Sequence, residues 1–195
     1  MSLEYDYLFK VVLLGEPRVG KTSLILRYLK NIFSGGEYAQ TLGANFLIKR
    51  LNVTTEVDAH SDRAIPVEKK VLLQIWDLAG HMRATQVKEH FYRGAAGCFL
   101  VYDVENQDSY DNLALWHSDV KKKMPNTKIA VLANKLDLCE GAQEIQKARQ
   151  DLQVIAKEFE AQIRFGTSAK TGENVEEAFT QMTRNLVQVS ETRDS

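Results

Sequence analysis

The stretch Gly15-Glu16-Pro17-Arg18-Val19-Gly20-Lys21-Thr22 constrains this chain more than any other. An apolar run precedes it, Leu8-Phe9-Lys10-Val11-Val12-Leu13-Leu14, and is predicted to form a short buried strand. Ser23-Leu24-Ile25-Leu26-Arg27-Tyr28-Leu29 follows with the spacing of an amphipathic helix. Strand, glycine-bounded loop, Lys-Thr and helix in that order make a phosphate-binding loop. Gly15 and Gly20 let the backbone curl so that successive N–H groups face an anion. The helix N-terminus favours the same charge. Lys21 is placed to reach terminal phosphates, and the hydroxyl of Thr22 to ligate Mg²⁺ between them. With Ser23, the eight residues are expected to bind the phosphates of a nucleoside triphosphate.

A chain of 195 residues, 44% of them hydrophobic, is long enough for one domain, 1–195, with a substantial core. The net charge of -1 gives no electrostatic reason to expect nucleic acid as a partner. Lys121-Lys122-Lys123 is expected to be a solvated helix end. Cys98 and Cys139 lack metal or redox spacing and are expected to be reduced packing residues. No apolar run is long enough to span a membrane. No leader, myristoylation glycine or prenylation cysteine is found in the chain, so no intrinsic lipid anchor is expected. The expected location is cytoplasmic, with any membrane association supplied by partners or by a tail outside this sequence.

Strands are predicted at 9–14, 45–53, 70–76, 97–102, 129–133 and 163–167, and helices at 21–30, 86–92, 109–123, 142–160 and 174–188. Alternation of the two implies an α/β fold with a doubly wound, mostly parallel six-stranded sheet. The second and third strands follow one another without a helix and are expected to pair as a hairpin. This places one antiparallel strand at the sheet edge. The polar stretch at about 54–68, with Pro66, is expected to be a mobile hairpin loop.

Four further segments bear on chemistry. Asp77 ends the third strand in Trp76-Asp77-Leu78-Ala79-Gly80, where it can hold Mg²⁺ through water while the Gly80 N–H meets a γ-phosphate. Asn134-Lys135-Leu136-Asp137 follows the fifth strand. The Asp137 carboxylate can accept the ring N–H and exocyclic amino group of guanine, a donor pair adenine lacks. Asn134 can brace the phosphate loop, and the stem of Lys135 can lie along the purine. In Ser168-Ala169-Lys170 the Ala169 N–H can meet the base carbonyl. Thr41, in the linker after the first helix, can complete the Mg²⁺ shell. Phe33 either covers the purine edge or closes the helix end as a core residue.

In this order the motifs resemble the Ras superfamily of small GTPases, and within it the Rab branch, from about Leu8 to Gln188. Further points of likeness are Thr41-Leu42-Gly43-Ala44-Asn45-Phe46, Leu73-Gln74-Ile75-Trp76-Asp77, Phe91-Tyr92-Arg93-Gly94 and Ser168-Ala169-Lys170-Thr171-Gly172. The resemblance implies a P-loop NTPase fold and a monomeric switch that binds GTP or GDP with Mg²⁺ and hydrolyses GTP slowly. It further implies a role in vesicle trafficking or related signalling through effector proteins, an exchange factor and a GTPase-activating protein. Phe46, Trp76 and Phe91 match the aromatic triad of the Rab effector surface. Read alone, the three would be core residues.

The sequence departs from that pattern at the chemical step. After Gly80 the family carries a glutamine that orients the attacking water, and here the residue is His81. Met82 and Ala84 replace acidic and aromatic residues, and Pro17 and Arg18 stand where small residues are common. Lys21, Gly80 and His81 are therefore the expected catalytic positions, and Thr22, Thr41 and Asp77 the metal positions. A GTP-bound scaffold that does not hydrolyse is the rival reading. A P-loop kinase or ATPase leaves Asn134-Lys135-Leu136-Asp137 unexplained.

Overall fold

A computed structural model of the chain describes residues 5–33, 44–57, 65–78 and 88–194. Its strands are β1 (Tyr7–Leu14), β2 (Ala44–Val57), β3 (Ile65–Leu78), β4 (Ala95–Asp103), β5 (Lys128–Asn134) and β6 (Ile163–Thr167). The helices are α1 (Lys21–Lys30), α2 (Lys88–Tyr92), α3 (Gln107–Asp111), α4 (Leu113–Lys123), α5 (Ala142–Glu158) and α6 (Val175–Asp194). One sheet runs in the order β2-β3-β1-β4-β5-β6. All neighbours are parallel except β2 and β3, so the antiparallel strand lies at the edge as expected.

Alternating residues of the central strands feed two cores. Phe9, Val11 and Leu13 of β1 face Leu24, Ile25 and Tyr28 of α1 and Val175, Phe179 and Met182 of α6. Val12 and Leu14 face Leu113, Trp116 and Val120 of α4, Leu152 and Ile155 of α5, and Phe159 just past the end of α5. A strand buried on both sides must be apolar at nearly every position, and that is why β1, β4 and β5 were so readable as runs.

The hairpin corrects the expectation of a loop at about 54–68. Ladder pairs continue through Thr54 and Glu68, Thr55 and Val67, Glu56 and Pro66 to Val57 and Ile65. The polar and β-branched residues here alternate as a strand should: Val53 and Thr55 are buried while Asn52 and Thr54 are exposed. Pro66 is tolerated because β1 reaches only to Val71 of β3, leaving β2 as the sole neighbour here. Residues 58–64 lie outside the described residues.

The C-terminal helix likewise passes its expected end at Gln188 and continues to Asp194. The two extensions meet, since Lys69 of β3 pairs with Glu191 of α6 at 3.1 Å. Each gives the other a surface, a tertiary effect without a local sequence signal.

The helix expected at 109–123 is two helices, broken at Asn112 and begun earlier, at Gln107. Asn106 caps α3 by accepting from the Ser109 N–H at 3.1 Å. The buried Ser109 hydroxyl accepts from the Asp103 N–H at 3.0 Å and donates to the Asn106 carbonyl at 2.7 Å. This fixes the first turn to the end of β4. Lys121, Lys122 and Lys123 occupy the last turn of α4, as expected. Of the helix expected at 86–92, residues 88–92 form α2, and 86–87 lie outside the described residues.

Candidate functional site

The site forms where the C-terminal ends of β1, β3, β4, β5 and β6 meet the N-terminus of α1. Gly15 has φ of +145°, and a Cβ there would stand 2.1 Å from the Val101 carbonyl oxygen of β4. Gly20 has φ of +98°, and its Cβ would stand 2.3 Å from Nδ2 of Asn134. Both positions thus exclude any side chain, and the loop lies flat against β4 and β5. Gly20, having no side chain, caps α1 without a side-chain hydrogen bond, and the first turn holds no acidic residue. An anion would find there the positive end of the helix dipole.

Within this cradle Lys21 is buried, 6% exposed. Its Nζ donates to the carbonyls of Gly15 and Glu16, each at 2.9 Å. Burial lowers its pKa to about 8, although Asp77 and Glu16 act in the opposite direction. Thr22 donates from Oγ1 to Asp77 Oδ2 at 2.5 Å, so these two expected metal positions are adjacent. No group of three or more His, Cys, Asp or Glu among the described residues could hold a metal alone. A hydroxyl and one carboxylate suit Mg²⁺, which takes its other ligands from phosphates and water.

Around the loop, Arg18 is exposed and takes a left-handed conformation with φ of 67°. Val19 is buried, and Pro17 and Ser23 are half-buried. Glu16 accepts from the indole Nε1 of buried Trp116 at 3.0 Å, which moors the loop to α4.

Asn134 joins the two halves of the site. Its Nδ2 donates to the Val19 carbonyl at 2.8 Å, while Oδ1 accepts from Thr167 Oγ1 at 3.2 Å and from the Ala169 N–H at 3.3 Å. Beyond it, Asp137 accepts from Ser168 Oγ at 2.5 Å and lies 3.7 Å from Lys170 Nζ. Lys135, left-handed at φ of 69°, pairs through Nζ with Asp103 Oδ2 at 2.6 Å. The structure therefore brings together Asn134, Lys135, Asp137, Ser168, Ala169 and Lys170 from two loops.

Asp103 is a residue to which sequence reasoning gave no role. Buried at the end of β4, it holds the Lys135 ammonium and accepts from the Glu105 N–H at 3.1 Å. Its signal was available: like Asp77, it is an aspartate that ends an apolar strand. Phe33 lies just past the C-cap Asn31 and is partly exposed, against a role as a fully buried core residue. Thr41, Gly80 and His81, with Met82 and Ala84, lie outside the described residues.

Away from the cradle, Phe46 stacks on Trp76 with ring centroids 5.0 Å apart, and Trp76 meets Phe91 at 5.7 Å. Phe46 is 53% exposed, which departs from the reading of the three as core. The Lys10 ammonium lies 4.3 Å from the centre of the Trp76 ring.

Comparison with known proteins bears on all of these features. Residues 10–188 match the model of the Ras family. Ras-related protein Rab-13 of Canis lupus familiaris is 36% identical over 197 residues, covering 100% of this chain and 88% of the relative. Rab-13 of Bos taurus is 35% identical, covering 96% and 84%. Ras-related protein Rab-15 of Homo sapiens is 36% identical, covering 96% and 81%.

Proposed function

This chain belongs to the Ras family of small GTPases, on its Rab branch, and from that premise we propose that it is a guanine-nucleotide switch. It binds GTP or GDP with Mg²⁺ and hydrolyses GTP slowly. The observation that carries this reading is the bracket made by Asn134, which holds the glycine cradle with one end of its amide and, through Thr167, the end of β6 that leads into the base loop with the other. Phosphates and purine are thereby assigned to fixed, opposite ends of one site.

The residues have separate tasks. The N–H groups of 15–22 and the Lys21 ammonium receive the phosphates, and Thr22 and Asp77 hold Mg²⁺ together with Thr41. When bound, the ion neutralises charge on the phosphate oxygens. Asp137 accepts from the two guanine donors, the Ala169 N–H meets the base carbonyl, and Phe33 covers an edge of the ring. Gly80 donates its N–H to the γ-phosphate. In the sequence pattern His81 takes the place of the glutamine that orients the attacking water. Neutral imidazole has one donor and one acceptor, as a glutamine amide has, but on a rigid ring of different reach.

The aromatic stack of Phe46, Trp76 and Phe91 is assigned to effector proteins, with an exchange factor and an activating protein acting on the same switch. The protein acts as a monomer in the cytoplasm, in vesicle trafficking, and meets membranes through partners. No helix among the described residues is long and apolar enough to cross a membrane.

Single-turnover hydrolysis on GTP-loaded protein tests the reading. Slow phosphate release is expected from the parent at pH 7.5, with a gain for His81→Gln. Tight guanine binding with intact GTP in both proteins would instead favour the non-hydrolysing scaffold, which the presence of His81 keeps open. Failure to bind guanine nucleotides would overturn both.

A further inference from the structure

The base loop has a back as well as a front. On its front, Ser168 meets Asp137 and the Ala169 N–H meets Asn134. Its back faces α1, and there a side chain of that helix holds it. Arg27 donates from Nε to the Ala169 carbonyl at 2.7 Å and from Nη2 to the Lys170 carbonyl. Its third nitrogen, Nη1, donates to the carbonyl of Asn31 at 3.2 Å and to the side-chain Oδ1 at 2.9 Å. Asn31 is the C-cap of α1, and its own N–H donates to the Arg27 carbonyl at 2.9 Å. All three guanidinium nitrogens are thus committed, to oxygens of two segments far apart in sequence.

The chemistry of that cluster requires a planar cation. Two successive carbonyls of the loop are directed at one point beside the C-terminal end of a helix, where the dipole is negative as well. Arginine answers with a rigid fork of donors and a permanent charge, and charge-assisted bonds are about twice as strong as neutral ones. Lysine would supply the charge but not the fork. Without either, the carbonyl oxygens repel one another beside the negative end of the helix.

We propose that Arg27 is a positioning residue for base recognition. It holds the Ala169–Lys170 backbone from behind, so that the loop stays seated on Asp137 and Asn134. Through Asn31 it also ties that loop to the point where the chain leaves α1 toward Phe33. This rests on the guanine reading above. Arg27 itself touches no base, and it lies well down the helix from Lys21 and Thr22. Its loss should therefore loosen the grip on the purine while sparing the hold on phosphate and metal.

Release of fluorescent GDP and of the corresponding inosine diphosphate, from parent and variants, tests the idea. Inosine lacks the exocyclic amino group, so the preference for GDP reports how well Asp137 is seated. For Arg27→Ala, GDP release about tenfold to a hundredfold faster is expected, from the loss of charged hydrogen bonds. The GDP-over-inosine preference should shrink, while the acceleration of release by EDTA keeps its parental factor. Arg27→Lys should fall between, at about threefold faster release. If Arg27→Ala does not fold by circular dichroism, Arg27→Lys carries the same measurements and must show both the faster release and the narrowed preference. Variants with parental release and preference would overturn the proposal. So would equal acceleration of both nucleotides with the preference unchanged, the mark of a general loss of stability. A parent that binds neither nucleotide would bring down the guanine reading, and this one with it. A parent that binds GDP beside indifferent variants would bring down Arg27 alone.

Discussion

At the base end of the site, Asp137 is held by Ser168 and Lys170, residues of another loop, and Lys135 is held by Asp103. At the phosphate end, Lys21 is bonded to carbonyls of its own loop, and Thr22 is bonded to Asp77. The first set can stay in place while a purine arrives, since a carboxylate has room for further donors. The second set must exchange partners, because the Lys21 ammonium would turn from carbonyls to phosphate and the Thr22 hydroxyl from carboxylate to metal. One end is preorganised for selection. The other is preorganised in backbone and rearranged in side chains, which suits a site that must distinguish a third phosphate.

The largest expected effect breaks the base end alone. Asp137→Asn should lose the guanine donor pair and gain the carbonyl that xanthine presents on that edge. The ratio of guanine to xanthine nucleotide affinity should change by roughly 10⁴-fold, since a site built for hydrogen-bonding groups rejects the analogue that lacks them. Competition binding with GDP and xanthosine diphosphate would measure it. An unchanged ratio would remove Asp137 from base recognition.

Breaking the phosphate end should leave that ratio alone. Lys21→Met should weaken GTP by about 10³-fold, by loss of a desolvated charge on phosphate. If guanine preference shifted together with affinity, the two ends would not be separable in the way their contacts indicate.

A smaller effect tests the link between them. At Gly20 a Cβ would displace the Asn134 amide, which braces both ends. Gly20→Ala should cost about 1–3 kcal/mol in stability from backbone strain alone. In denaturant melts it should also be non-additive with Asn134→Ala, because once the amide is gone the clash is relieved. Strict additivity would show that the amide does not carry the coupling.

How much of this was legible in sequence follows the same division. The cradle is local: eight consecutive residues from the end of β1 into the first turn of α1 carry most of its geometry, and Gly15, Gly20, Lys21 and Thr22 could be read directly. The base loop was legible as two motifs, Asn134–Asp137 and Ser168–Lys170. The long-range supports were not. Arg27 and Trp116 looked like ordinary residues of amphipathic helices, because nothing near them in sequence says that one will reach Ala169 and the other Glu16. The hairpin and α6 were both read too short for the same reason. Polar strand residues such as Thr54 and Thr55 acquire their meaning from pairing, and the last turns of α6 from Lys69.

The smallest effect concerns pH and separates the two ends without a mutation. Lys21 has its pKa lowered to about 8 by burial, from an ordinary lysine value of 10.5. Bound phosphate would favour the ammonium and raise that value again. Below pH 8 the free protein is already protonated, so this group leaves triphosphate affinity flat. Above pH 8 binding must take up a proton, and affinity should fall by up to about tenfold per pH unit. Stability of the nucleotide-free protein should move the other way. Between about pH 8 and 10.5 the unfolded chain keeps the lysine proton that the folded chain releases, so the unfolded state binds more protons and stability rises with pH. Calorimetric titration at pH 8.5 in two buffers of different ionisation heat would count the protons taken up. An uptake of up to about three quarters of a proton per nucleotide for the parent, and none attributable to this site in Lys21→Met, is expected. Equal uptake in both would place the titrating group elsewhere, and would mean that Lys21 meets phosphate already fully charged.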